Sequence, residues 1–340
     1  MKSKTILNIH IPPITAHTTI AYPLSILCGD KRNNDWIYSN YVNLSSSIDP
    51  KNFYRMNFLS GDSFGGIEPL IYMQKCLPDN CDIFIRIKEL LDDGWYIFTF
   101  LDFAILQIEP YILHNILIYG IDNENGLIHV AGYLNKHYAT FTIEFDIFAN
   151  AYNSQANTRK HKSLIMKQRT PYPSFSYENF EIQLLDYINS EFPPSHINNY
   201  YSNIDKIMAG DELLEEFIVN SRKDGGYYYG VDCYKSLQEY LFLSDNLSQV
   251  DLRPYRILFE HKSLMKNRLC YFQQENIYGF DMSYYIDKMS EIEIAAKILF
   301  NFIIKSGMKN ESSHKLIISK IKSIKRDEHK LLKKFIKQIH

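Results

Sequence analysis

The sequence predicts an α+β fold in which one early helix is followed by a mainly antiparallel sheet and then by a mostly helical region. Three observations predict it. The first is a pair of strands: His114-Asn-Ile-Leu-Ile-Tyr-Gly-Ile-Asp122, the turn-forming Asn-Glu-Asn-Gly, then Leu127-Ile-His-Val-Ala-Gly-Tyr133. The second is the apolar stretch from Ala16 to Cys28, with Thr15 placed as an N-cap and Gly29 as a terminator. The third is the recurrence of apolar residues every three or four positions from Tyr177 onward. A chain of 340 residues, 46% hydrophobic, can bury a large core and exceeds one ordinary domain. The expected division is a sheet-bearing domain over 1–152, a connecting segment over 153–173 and a helical domain over 174–340.

Taken in order, Thr5 to Ile11 alternate weakly and stop at Pro12-Pro13, as a short strand would. Pro23 should bend the first helix. Trp36 to Leu44 is an aromatic segment, expected as a buried connection. Ser60-Gly-Asp-Ser-Phe-Gly-Gly66 is glycine-rich but lacks the GKS or GKT ending of a phosphate loop, so an ordinary loop is expected. Asp82 to Asp93 reads as an amphipathic helix with Ile83, Ile87, Leu90 and Leu91 on one side. Trp95–Leu101 is a strand, as is Tyr138–Ile143, and a short helix follows from Glu144 to Tyr152.

Five helices are expected beyond that: 177–192, 200–222, 231–244, 255–272 and 291–306. In the helix from Tyr255, Leu258, Lys262, Met265, Leu269 and Phe272 share a stripe, with His261 and Arg268 beside it. His261, Lys262 and Arg268 are therefore candidate substrate-binding residues for a phosphate or carboxylate. The competing reading is helix packing with the charges turned to water.

The net charge of -2 hides an asymmetry. Residues 309–340 hold ten Lys or Arg against three Asp or Glu, and residues 1–308 hold 27 against 36. Such a basic tail is either a solvated helix face or a surface for an acidic partner. No aromatic interleaving or nucleic-acid motif supports RNA as that partner. Five cysteines without CxxC spacing argue against a zinc site and against a disulfide framework, and no metal is expected. The N-terminus lacks a signal-peptide core, and no run approaches the roughly 18 apolar residues of a membrane span. The expected location is the cytoplasm.

The strand pair from His114, the segment Trp36-Ile-Tyr-Ser-Asn-Tyr-Val-Asn-Leu44, and Asp251-Leu-Arg-Pro-Tyr-Arg-Ile-Leu-Phe-Glu-His-Lys-Ser-Leu-Met-Lys-Asn-Arg-Leu269 carry a resemblance. They look like papain-like proteins found with nonribosomal-peptide biosynthetic genes, similar to the butirosin biosynthesis acyltransferase and the family 39 cysteine peptidases. The resemblance implies a papain-like fold and a thiol-dependent acyltransferase or amide synthase. An acyl group held on the phosphopantetheine arm of an acyl or peptidyl carrier protein would pass to a cysteine and then to an amine acceptor. It implies no cofactor of the protein's own, no nucleic acid and no membrane, and it allows a homodimer.

In that pattern the nucleophile stands at the start of the first helix, where the dipole favours a thiolate, and the base opens a later strand. Residue by residue, the base maps to His114 and the nucleophile position to Ala16. The orienting residue maps to about Gly132, which cannot orient an imidazole, and Asn135 could do so only across a bulge. Cys28 lies at the wrong, electronegative end of the helix. Either the chain has lost the chemistry or Ala16 replaces a cysteine. The alternative to an enzyme is therefore a catalytically inactive binding or scaffold protein; a cysteine peptidase or thioesterase is the third reading.

Overall fold

The structure, a computed structural model, describes residues 3–48, 54–58, 67–74, 77–78, 83–108, 113–134, 137–159, 163–191, 227–243, 247, 250–309 and 314–340. These residues form two compact units, and the chain passes between them more than once. The first unit holds residues up to Asn34 and the described part of 63–173; the second holds the described parts of 35–62 and 174–340. The expected division at 152 needs correcting in two places. Residues 35–58 belong to the helical unit, and the segment 153–173 carries a strand of the sheet rather than a plain connection.

The first unit is an antiparallel sheet with helices on both faces. Its strands run in the order β4 (Leu70–Gln74), β9 (Leu164–Gln168), β5 (Tyr96–Asp102), β6 (Leu113–Asp122), β7 (Leu127–Leu134) and β8 (His137–Glu144). The short β1 (Lys4–Ile6) also pairs with β6. β9 joins the sheet because Leu164, Ile165 and Met166 are apolar in succession and all buried between β4 and β5. On one face the helix α3 (Ile83–Asp92) and α4 (Phe145–Asn153) bury Ile87, Leu91 and Phe148 against Ile97, Ile116, Ile118 and Ile121. On the other, Tyr22 of α1 (Thr18–Leu27) packs against Phe98 and Tyr138, with ring centroids 5.8 and 5.9 Å apart.

β6 and β7 close the expected turn: Asp122 pairs with Leu127, and Gly126 takes the positive φ of 64° that a residue with a Cβ resists. The Asp122 carboxylate accepts from the Asn125 side chain at 3.0 Å and pairs with Lys4, which hold its pKa at about 2. The register shifts by one between Ile118 and Gly120, a bulge that sharpens the local twist. α1 starts two residues later than expected. Its N-cap is His17 rather than Thr15, and Ala21 N–H bonds the His17 carbonyl at 2.8 Å. Pro23 lies inside α1, and Ile20 to Leu27 are all buried.

The second unit surrounds a three-stranded antiparallel sheet, β10 (Tyr227–Tyr229), β2 (Leu44–Ile48) and β3 (Tyr54–Phe58), in that order. Its helices are α2 (Asn34–Ser39), α5 (Tyr177–Asn189), α6 (Cys233–Leu243), α7 (Arg253–Gln274), α8 (Ser283–Lys309) and α9 (His314–Ile339). The aromatic segment 36–44 is buried as expected, but it is not a plain connection, since it contains most of α2. α8 begins eight residues before the expected start at Glu291. The glycine-rich loop 60–66 and the helix expected over 200–222 lie outside the described residues. Gly230, at φ 53°, passes so close to α5 that a Cβ there would stand 2.1 Å from the Tyr187 carbonyl oxygen. Among the described residues, no helix is long and apolar enough to cross a membrane.

Candidate functional site

His114 lies at the start of β6, as its second residue after Leu113, opposite Leu101 of β5. The register of Leu117 with Ala131, extended toward the strand ends, sets Asn115 opposite Tyr133 and His114 opposite Leu134. The His114 ring is half-buried, 5.1 Å from the Phe103 ring and 5.8 Å from the Tyr133 ring. Its Nδ1 lies 3.0 Å from the Asn115 carbonyl oxygen, which can only accept, so Nδ1 carries a proton.

Tyr133 ties this strand end to the start of α1. Its hydroxyl donates a short hydrogen bond to the Thr15 carbonyl, immediately before Ala16. Ala16 is 9% exposed, at the edge of the core. Tyr133 thus touches the His114 ring and bonds the main chain of the residue before Ala16. Tyr22 adds a second phenol, donating to the Asn115 carbonyl at 2.7 Å. Desolvation holds the Tyr22 hydroxyl well above its ordinary pKa, so it remains a neutral donor. Asn115 Oδ1 is buried and has no hydrogen-bond partner among the described residues.

Gly132 does not serve His114 as an orienting group. A Cβ at Gly132 would meet Ile116 Cγ2 at 3.4 Å and Tyr22 Oη at 3.7 Å, contacts of the apolar interior rather than of the imidazole. Asn135 lies outside the described residues, as do Cys76 and Cys81. Of the described cysteines, Cys28 lies in this unit and supplies no substitute. Burial pushes the Cys28 thiol up to about 12 at the C-terminal cap of α1, and Cys233 and Cys270 belong to α6 and α7 of the other unit. Among the described residues, no three His, Cys, Asp or Glu side chains gather as a metal site.

The second expected site also needs correction. His261, Lys262 and Arg268 are each 0% exposed, and their charges turn inward, neither to a ligand groove nor to water. Lys262 Nζ donates to Glu328 Oε1 at 2.5 Å, Tyr187 Oη at 2.9 Å and His261 Nδ1 at 2.9 Å, which uses all three of its protons. Glu328 Oε2 accepts from Tyr187 at 2.9 Å and from Tyr234 at 2.6 Å. His261 Nε2–H then donates to the Val42 carbonyl at 2.6 Å, the tautomer that Lys262 imposes by occupying Nδ1. Burial, with Lys262 beside it, drives the His261 pKa well below its ordinary value. Burial also lowers Lys262, and the Glu328 carboxylate opposes that shift. Arg268 bonds the Tyr38 carbonyl at 2.8 Å and the Asn40 carbonyl, while its Nη1 lies 2.6 Å from Met265 Sδ. Desolvation lowers the guanidinium to about 9. The physical cause is the stripe itself: Lys262 and Arg268 sit on the buried side of α7 with Leu258, Met265 and Leu269, so each must find protein partners.

Compared with known proteins, the chain matches no family model and no curated protein.

Proposed function

We propose that the protein is a papain-like scaffold that has given up thiol chemistry and acts as a binding protein. One observation carries this reading. His114 and the start of α1 are joined through Tyr133, whose phenol bonds the Thr15 carbonyl beside Ala16, the position where the pattern calls for a cysteine. The resemblance supplies the fold family, and the antiparallel sheet with α1 on one face is consistent with it. The buried Asn115 Oδ1, without a partner among the described residues, is an acceptor still open to a small polar group.

A second reading is favoured by the same geometry. A form of this chain with cysteine at residue 16 would have the thiol just before the N-cap of α1, next to the Thr15 carbonyl that Tyr133 bonds, with the His114 ring on the other side of Tyr133. That form would be an acyltransferase or amide synthase drawing on a carrier-bound thioester.

One experiment separates the two. The chain is incubated with an acyl pantetheine thioester and an amine, and product formation is followed beside Ala16→Cys, Ala16→Cys/His114→Ala and His114→Ala variants. The binding reading expects no turnover by the chain itself. Turnover by the unaltered chain that disappears in His114→Ala would sink it. Ala16→Cys should be alkylated by iodoacetamide at residue 16 faster than the exposed Cys270 of the same molecule at pH 6, and the excess should vanish in the double variant. Equal rates at the two cysteines would overturn the papain-like placement itself.

A further inference from the structure

α8 and α9 leave between them a groove of about 600 Å³. It is lined along α8 from Tyr284 to Ile298 and along α9 from Lys320 to Lys334, so each wall covers fourteen residue steps. At 1.5 Å per residue, each wall is about 21 Å long, four helical turns. The lining positions on each wall recur at three- and four-residue steps, which makes each wall a single straight helix stripe.

The floor is apolar. Ile292, Ile324 and Leu331 are 6%, 3% and 5% exposed, while Ile298 and Tyr284 stand at the rim with 51% and 47% of their surface open. The rim is cationic. Lys288 is paired with Glu291 at 2.7 Å, and the other lining acid, Asp327, is held by Arg326 at 2.9 Å. Lys320, Lys330 and Lys334 form no ion pair among the described residues, and the Lys334 ammonium rests 3.9 Å from the centre of the Tyr284 ring. An apolar trough whose edges carry four lysines against two acids is complementary to a helix with one apolar face and flanking carboxylates.

We propose that this groove is a docking site for an acidic amphipathic helix of a partner protein, about four turns long. The helix would lay its apolar face on Ile292, Ile324 and Leu331 and its carboxylates on Lys320, Lys330 and Lys334. This assignment stands apart from the thiol-site reading and uses none of its residues. The length of the groove favours a helix over a small anionic amphiphile, which would need only one end of it.

The test uses the full chain and a fluorescein-labelled sixteen-residue Glu/Leu peptide of amphipathic pattern, read by anisotropy at low salt. A scrambled peptide of equal composition is the control. Saturable binding is expected, at least about tenfold weaker for the scrambled peptide and for Lys330→Glu/Lys334→Glu. Ile298→Asp should weaken it comparably while carrying no change at the lysines. These residues are exposed, and unchanged circular dichroism confirms that the variants fold. Absence of saturable binding, equal affinity for the scrambled peptide, or indifference to both variants overturns the proposal. Complete displacement of the peptide by one equivalent of dodecanoate also overturns it, in favour of a small-amphiphile site.

Discussion

The two units treat a histidine in opposite ways. In the sheet unit His114 is half-buried at a strand end, bonded through Nδ1 to the next residue's carbonyl. In the helical unit His261 is wholly buried, and both ring nitrogens are engaged, one by Lys262 and one by the Val42 carbonyl. The first ring is positioned by its neighbours without being consumed by them; the second is one link of a closed network. An imidazole at the rim can still meet a ligand, whereas one in a satisfied network fixes how helices pack. The contrast teaches that a His–Lys–Arg cluster on a helix is weak evidence for a ligand site until its burial is known.

The sharpest way to break the comparison is to open the network. Glu328→Ala leaves the Lys262 ammonium buried without its counter-charge, and urea unfolding should show a loss of about 3–5 kcal/mol. Replacing both partners, Lys262→Met with Glu328→Leu, should recover most of that loss, because a buried ion pair is dispensable once both charges go. If the double variant is no more stable than Glu328→Ala, the cost lies in packing and the electrostatic account is wrong.

Arg268 ranks next. Its guanidinium joins α7 to the carbonyls of Tyr38 and Asn40, so Arg268→Met should cost about 2–4 kcal/mol through carbonyls left buried and unpaired. Arg268→Lys should recover less than half, since an ammonium cannot span both carbonyls with the same fork. Full rescue by lysine would show that charge matters here and geometry does not.

Much of this architecture is legible in the residues. The Asn-Glu-Asn-Gly turn, the alternating runs around it and the three- to four-residue stripes announce β6, β7 and α7 because each is a local pattern. Lys262 inside the stripe Leu258, Met265 and Leu269 is itself a sign of an inward charge. Its partners are not legible: Glu328 is 66 residues away and Tyr187 is 75, and no local rule joins them. β9 is missed for a related reason, since five residues within a polar stretch become a strand only when β4 and β5 are there to pair with it. Tyr133 escapes as a site residue because its partner, the Thr15 carbonyl, is 118 residues away in the chain and no local pattern joins them.

A smaller effect sharpens the difference through pH. His261 is held neutral in the native state with a pKa depressed by burial, by Lys262 and by Arg268, while Glu328 lies 3.8 Å from Nδ1 and the Val42 carbonyl opposes the shift. Above about 6.5 neither the folded nor the unfolded chain protonates this ring. Below about 6.5 the unfolded chain takes up a proton that the native one refuses, so stability present above that pH is lost as pH falls, by at most about 1.4 kcal/mol per unit. His261→Gln should lose less stability between pH 7.5 and 5.5 than the unaltered chain, as read from urea midpoints. Equal losses would mean that the ring charges inside the folded protein.

His114 provides the gentlest test and the one that bears most on function. Among the described residues its ring bonds only the adjacent main chain and touches Phe103 and Tyr133, so His114→Ala should change stability by less than about 1 kcal/mol. A larger loss would place it with His261 as a packing residue and dissolve the contrast between the units. The same substitution has a second readout that packing does not predict. In an Ala16→Cys background, a nearby imidazole lowers the pH at which the new thiol becomes reactive, so His114→Ala should move the alkylation profile of residue 16 toward higher pH while leaving Cys270 unchanged. A stable His114→Ala protein with a shifted profile marks a base kept in place after its nucleophile has gone. A stable protein with an unshifted profile marks a strand-end histidine that was never within reach of α1.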